Sequence, residues 1–101
     1  MNQKDFAEFT RVFNEEADKI LVAKGNDYSI DQDRLANFKR LAAALSLDPF
    51  VIYAVYTAKH CEAILTWVRH GKLESESLRS RFIDLRNYAI LGAALAKDLS
   101  S

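Results

Sequence analysis

The chain has little cysteine, proline or glycine, and each shortage excludes a class of structure. The single cysteine, Cys61, rules out a disulfide framework within one chain and favours a reducing, cytoplasmic setting. One proline and three glycines leave little material for hairpins, and no stretch alternates apolar with polar residues as a strand would. The 101 residues therefore predict one all-α domain spanning residues 1–101.

An excess of charge and a long apolar run are also missing. Lysine plus arginine and aspartate plus glutamate number 14 each, so we expect neither a nucleic-acid polymer nor a membrane surface as the partner. The polar start at Met1 lacks the apolar core of a signal peptide. The longest uncharged apolar stretch, 49–58, is about half of what a membrane span needs.

Helical periodicity and its punctuation predict four helices. Lys24-Gly25-Asn26-Asp27 interrupts the first apolar stripe, and Ser29-Ile30-Asp31-Gln32 reads as a capping box that opens the second helix. Asp48-Pro49 marks a third start, Gly71 a third stop, and the residues 74–76 a fourth start. The helices are expected at 3–23, 29–46, 49–70 and 74–97, as a four-helix bundle-like domain whose last two helices form a long antiparallel pair.

The third predicted helix has two apolar faces. One is aliphatic at most positions and the other is aromatic with polar tips; the first contains Phe50, Ala54, Ala58, Cys61, Leu65 and Val68, and the second contains Tyr53, Tyr56, Thr57, His60, Ile64 and Trp67. A surface helix of a small monomer buries one stripe. Two stripes predict two partners, the chain's own core and either a second subunit or a ligand. We expect the aromatic face to be covered from outside the chain, as in a homo-oligomer.

Several polar residues stand in apolar company on the last two helices. His60 is either a core or interface histidine bonded to a tyrosine hydroxyl or a ligand contact, and no second metal-binding side chain lies one turn away. Lys59 either pairs with Glu62 within the helix or is positioned for a phosphate. Asp84 needs a cation, a donor or a metal, and Arg81 at i−3 is the simplest partner.

Two further features have both a structural and a binding interpretation. Tyr28 either covers the junction of the first two helices or offers an aromatic platform for a base. Arg79, Arg86 and Lys97 share one stripe of the fourth helix. Such a stripe is either a solvated face or a set of cations presented to an anion.

Four short motifs resemble a known group of proteins. They are Lys24-x-x-Asp27-Tyr28-Ser29, Asp33-Arg34-x-x-Asn37-Phe38-Lys39, Lys59-His60 and Asp84-x-x-Asn87-Tyr88. Over about residues 6–95 the chain resembles small bacteriophage proteins that are similar to the MazG-like, all-α NTP pyrophosphohydrolase superfamily. In that superfamily, oligomeric helices supply carboxylates from an EExxE and an ExxD motif, which bind Mg²⁺ at a nucleoside triphosphate. The resemblance implies this fold and a nucleotide ligand.

The chain departs from both carboxylate motifs. Glu15-Glu16 begins the first, but Lys19 stands where its last acid belongs; Arg81 likewise replaces the glutamate that should precede Asp84. Under the enzyme interpretation, the Mg²⁺ ligands would be Glu16, Glu62 and Asp84. The two exchanges of acid for base favour a pocket that holds phosphates with cations, needs no cofactor and does not hydrolyse them.

Three functions stay open from the sequence. The first is an oligomeric binding module for a nucleotide or a nucleotide-derived signal, which in a phage would sequester a host immune messenger. The second is a Mg²⁺-dependent NTP pyrophosphohydrolase, and the third is a structural interaction module whose aromatic face is a dimer seam. The predicted ligand-binding residues are Lys24, Asp27, Tyr28, Asn37, Tyr56, Lys59, His60, Asp84, Asn87 and Tyr88.

Overall fold

A computed structural model describes residues 1–28, 33–73 and 76–100. It contains four helices, α1 (Gln3–Tyr28), α2 (Ala36–Leu45), α3 (Pro49–His70) and α4 (Leu78–Leu99). The predicted all-α fold is confirmed for these residues. Three of the four helices differ in extent from the sequence-based expectation.

The bounds of α3 agree with the prediction because both of its ends have strong local signals. The Asp48 carboxylate accepts a hydrogen bond from the backbone N–H of Phe50 at 2.7 Å, and Pro49 occupies the first turn. At the other end Gly71 has a φ of 73°, and its N–H donates to the carbonyl of Trp67 at 2.7 Å. A left-handed exit of this kind favours glycine.

The expected end of the first helix at residue 23 is wrong, because α1 continues through Gly25 to Tyr28. A glycine in a helix interior costs about 1 kcal/mol relative to alanine, which tertiary contacts can offset. Two such contacts occur in this last stretch. Lys24 pairs with Asp84 of α4, and the Arg34 side chain lies directly against Gly25.

The second helix is shorter than predicted. The proposed capping box at 29–32 lies outside the described residues, and α2 begins only at Ala36, after a turn in which the Asp33 carboxylate accepts from the N–H of Leu35 at 2.9 Å. Ser46 ends α2 in a left-handed conformation. Leu45, the last residue of α2, is 62% exposed.

The fourth helix begins slightly later than predicted. Residues 74 and 75 lie outside the described residues, and Ser77 is the N-cap, its hydroxyl accepting from the N–H of Ser80 at 3.1 Å.

The helices pack in the spatial order α1, α4, α3, α2. Helices α3 and α4 are antiparallel: the Tyr53 hydroxyl donates to the carbonyl of Tyr88 at 2.7 Å, and further along α3 His60 lies beside Arg81. Phe38 of α2 contacts three tyrosine rings edge-on, at centroid distances of 6.0 to 6.4 Å. The expected long antiparallel pair is therefore present, with an aromatic cluster between α2, α3 and α4.

The prediction that the aromatic face of α3 is covered from outside the chain is wrong. Its aromatic face packs inside the chain, where Tyr53 and Tyr56 meet Phe38 and His60 is buried. The aliphatic face is the uncovered one. Large side chains exposed there or beside it are Phe50 (37%), Val51 (43%), Val55 (64%), Leu65 (44%) and Val68 (65%). Tyr53 packs directly against α4 at Gly92, where there is no side chain to keep its ring away.

The first half of α1 also carries exposed apolar side chains. Ala17 is fully buried at the contact with α4, but Phe6 and Phe9 are 56% and 46% exposed. The Arg79 guanidinium lies over the Phe9 and Phe13 rings, 5.6 and 5.4 Å from their centroids. Among the described residues no single helix has the length and apolar character of a membrane span, whereas α2 and α3 meet that test only as a pair bent by 110°.

Candidate functional site

A cavity of about 440 Å³ opens between all four helices. Eight of the ten ligand-binding residues predicted from the sequence line it: Lys24, Asn37, Tyr56, Lys59, His60, Asp84, Asn87 and Tyr88. Residues that are distant in sequence meet here because α1 ends against the middle of α4, while α2 lies across α3. The volume is in the range of pockets that hold small organic ligands.

The other two predicted residues are not placed at the cavity. Asp27 is exposed and is not among the described residues that line it. Tyr28 is the last residue of α1, and its side chain lies outside the described part of the structure. Both assignments depended on the first helix ending before them, which it does not.

Asp84 is 8% exposed and is contacted by two basic side chains. Lys24 donates to its Oδ1 at 3.3 Å, and His60 Nδ1 lies 3.6 Å from its Oδ2. The expected desolvation of this carboxylate is confirmed, whereas Arg81 as its partner is wrong. Lys24 takes that place because α1 extends one turn further than predicted.

His60 is buried between α3 and α4, and its ring stacks at a tilt on Tyr88 with centroids 5.0 Å apart. Burial, aided by the positive charges of Arg81, Lys59 and Lys24, lowers the pKa of this imidazole, although Asp84 opposes the shift. The ring is therefore neutral at pH 7. Its Nδ1 lies 3.5 Å from a terminal nitrogen of Arg81, from which a neutral ring can accept. The expected bond to a tyrosine hydroxyl is replaced by ring stacking.

Arg81 is the most unusual group of the site, and the sequence assigned it only to Asp84. Arg81 is 8% exposed, and its buried Nε has no hydrogen-bond partner among the described residues. The nearest carboxylate oxygen, Glu76 Oε2, lies 3.6 Å away, which is beyond hydrogen-bond range. Burying the N–H of a charged group without an acceptor lowers the stability of the folded state by roughly 1–3 kcal/mol or more. Because Arg81 also lines the cavity, its positive charge lies next to whatever binds there.

Three more cations line the cavity with few partners. The predicted Lys59–Glu62 pair is not found, and within the described residues Lys59 forms no ion pair. Arg40 donates to the Asn37 side-chain oxygen at 3.0 Å. The Arg34 side chain packs against Gly25. Sequence reasoning missed the lining residues Leu21, Arg34, Phe38, Arg40, Leu41, Glu76, Arg81 and Leu91 as site residues.

The signal for Arg34 was present in the motif Asp33-Arg34-x-x-Asn37-Phe38. Its position at the cavity depends on the turn before α2, which periodicity does not predict. Asn87, by contrast, was predicted but has its amide engaged: Nδ2 donates to the carbonyl of Ala17 at 3.1 Å, and Oδ1 accepts from Arg86. Asn87 therefore fixes α1 on α4.

The carboxylates expected to hold Mg²⁺ do not converge. Glu16 accepts from Arg79 at 2.7 Å on the outer side of the α1–α4 contact, and Glu62 is exposed and does not line the cavity. Over the described ranges, no three histidine, cysteine or acidic side chains come together in a way that could hold a metal. Within the described residues of one chain, Glu16, Glu62 and Asp84 therefore do not form the ligand set expected under the enzyme interpretation.

The two arginines of the basic stripe on α4 also form ion pairs within the chain. Arg79 pairs with Glu16, and Arg86 with Asp18 at 2.7 Å, so both attach α1 to α4 and do not present an open anion site.

A comparison with protein-family models finds no match for this chain, and comparisons with curated proteins and with solved structures find none either.

Proposed function

We propose that this protein binds a small phosphate-bearing ligand of the nucleotide class in the cavity between its helices, without metal-dependent hydrolysis. The observation that carries the proposal is Arg81, a buried cation that lines the cavity and whose Nε has no hydrogen-bond partner among the described residues. A folded protein retains such a group at a cost in stability, which is typical of a binding site. Phosphate oxygens are strong acceptors for guanidinium groups.

The composition of the cavity wall supports the nucleotide part of the proposal. Tyr56 and Tyr88 belong to the aromatic cluster on Phe38 and also line the cavity. Aromatic rings next to cations match a ligand that has a flat apolar base and a phosphate. Lys59 and Arg34 supply positive charge from two other elements.

The positions of the acidic side chains support binding without metal-dependent hydrolysis. Phosphate-bound Mg²⁺ is usually held by one or two carboxylates. Two acids line this cavity among the described residues: Asp84 already contacts Lys24 and His60, and Glu76 lies near Arg81. The cations are therefore better placed than the acids to meet the phosphates.

The test is thermal unfolding in the presence of nucleoside mono-, di- and triphosphates. A ligand at a hundred times its Kd stabilises the folded state by about 2.7 kcal/mol, which is a readily measured rise in Tm. We expect this rise for the wild-type chain and its loss in Arg81→Met. Arg69→Met is the matched control, because Arg69 is an exposed arginine in the last turn of α3, outside the cavity wall.

The same variants separate binding from folding. Without ligand, Arg81→Met should unfold at the wild-type temperature or above it, since it removes a buried charge with an unsatisfied donor. Lys59→Met, at a more exposed position, provides a second loss of binding that does not touch the core. A nucleotide shift that persists in both variants would show that the ligand binds elsewhere.

We also propose that the protein is a homo-oligomer, and that a second copy covers the aliphatic face of α3. The chain exposes 7048 Å², whereas a folded monomer of its mass exposes about 5,800 Å². The excess exceeds the roughly 800 Å² that each partner contributes to a standard interface. The Cα radius of gyration, 15.5 Å, is likewise above the value of about 13 Å for a compact chain of this length.

A further inference from the structure

The charge of the cavity wall is more positive than that of the chain. The whole sequence is neutral, yet five of the described lining residues are cationic and two are acidic. The cations are Lys24, Arg34, Arg40, Lys59 and Arg81, and the acids are Glu76 and Asp84. With His60 neutral, these described lining residues carry a surplus of three positive charges. A concave wall of one sign concentrates the potential on whatever occupies it.

These cations come from separate elements. Arg34 precedes α2, Lys59 belongs to α3 and Arg81 to α4, so they approach the cavity from different sides. A single phosphoryl group neutralises about 1.5–2 charges at pH 7, which is less than the surplus. A second phosphoryl group adds at least one more charge and extends the anion toward a second side of the cavity.

The position of Arg34 depends on a glycine in a helix. A Cβ on Gly25 would lie 2.9 Å from Arg34 Nε and 3.1 Å from its Cδ, so any larger residue displaces this side chain. Because glycine inside a helix costs about 1 kcal/mol relative to alanine, the close approach of Arg34 is maintained against local helix preference. Gly25 is thus a structural reason for a second guanidinium at the cavity.

We infer that the ligand carries at least two phosphoryl groups and binds as the metal-free anion. This inference rests on the proposed function and deepens it, from a phosphate-bearing ligand to a di- or polyphosphate whose divalent metal has been removed. Mg²⁺ would cancel two of the ligand's negative charges. It would also bring its own need for carboxylates to a wall where Asp84 and Glu76 are already next to basic groups.

The test is calorimetric titration of the intact chain with AMP and ADP at one ionic strength, first with a chelator and then with excess Mg²⁺. We expect ADP to bind at least about tenfold more tightly than AMP in the chelator, and Mg²⁺ to weaken ADP binding by a similar factor. Gly25→Ala and Arg34→Met should both reduce the preference for ADP. The control Arg69→Met should keep it.

The outcomes distinguish this inference from the proposed function. If neither nucleotide binds in either condition, the proposed function is wrong, and this inference with it. If AMP binds as tightly as ADP, or if Mg²⁺ strengthens ADP binding, the inference is wrong while the cavity is still a nucleotide site. If Gly25→Ala and Arg34→Met keep the full preference for ADP, Arg34 is not the group that recognises the second phosphoryl.

Discussion

Arg81 and His60 form the polar centre of this molecule, and their contact depends on the protonation state of His60. The Arg81 guanidinium has a possible acceptor in His60 Nδ1 only while the ring is neutral. Burial and the surrounding cations lower the pKa of His60 and so maintain that state. The neutral imidazole therefore allows a cation to be buried beside a histidine.

A pH dependence of stability follows from this pKa. The unfolded chain has an ordinary histidine pKa of about 6.5, so between that value and the lower folded-state pKa it binds more protons than the folded chain. The free energy of unfolding should therefore fall as the pH is lowered from 7 through this window, by at most about 1.4 kcal/mol per pH unit. Denaturant titrations at several pH values measure it.

His60→Gln should remove this component, and His70→Gln should leave it unchanged because His70 is exposed at the end of α3. A wild-type profile that has no slope above pH 5, or one that His60→Gln leaves intact, would contradict the account of the buried imidazole.

At the residue scale the sequence indicated half of the described residues that line the cavity, but not the most unusual of them. Asp84, Lys59 and His60 were recognisable because polar residues in an apolar stripe need partners. Arg81 looked like an ordinary i−3 neighbour of Asp84. That its Nε would be buried without an acceptor depends on how α3 and α4 pack, which no local pattern encodes.

At the scale of helices, the difference between α3 and α1 shows which sequence signals are sufficient to predict where a helix ends. The ends of α3 were predictable because Asp48, Pro49 and Gly71 each satisfy or remove terminal backbone groups locally. The end of α1 was not, because Gly25 is compatible with either a helix exit or a helix interior. Tertiary contacts of Lys24 and Arg34 decide in favour of the interior.

The contact between α3 and α4 gives a prediction at this scale. A Cβ on Gly92 would collide with the ring and hydroxyl of Tyr53, whose hydroxyl donates to the carbonyl of Tyr88. Gly92→Ala should therefore destabilise the fold by about 1–3 kcal/mol, although alanine is the better helix former. Chemical denaturation measures the change.

The double variant Gly92→Ala, Tyr53→Ala provides the control for this prediction. Because the collision is removed with the ring, the glycine substitution should cost little in that background, and the non-additivity should exceed about 1 kcal/mol. If Gly92→Ala stabilises the otherwise unchanged chain, the close packing of Tyr53 on α4 is wrong.

For the whole molecule, the all-α fold class was predictable from the composition and the helical periodicity. The face of α3 that packs into the core was not predictable. Both of its faces are apolar, and an amphipathic pattern cannot rank two apolar faces. Contacts of Tyr53 with Phe38 of α2 and Gly92 of α4 place the aromatic face in the core. The aliphatic face is left as the surface for a second copy.

The oligomer prediction is tested by light scattering coupled to size exclusion. We expect a mass of at least two chains for the wild type and of one chain for Val68→Glu, because a charge on this face opposes its burial. Val22→Glu is the matched control: Val22 and Val68 are each 65% exposed, but Val22 lies on α1. A monomeric wild type, or a Val68→Glu variant of unchanged mass, would contradict the assignment of this face.

The central claim is that the cavity between the four helices binds a phosphate-bearing ligand. It is tested most directly by mapping amide chemical-shift changes of the intact chain during titration with ADP. The account predicts saturable shifts concentrated around Lys24, Asn37, Lys59, His60 and Arg81, with the first turns of α1 unaffected. Shifts that gather away from the cavity wall, or none at all, would contradict it.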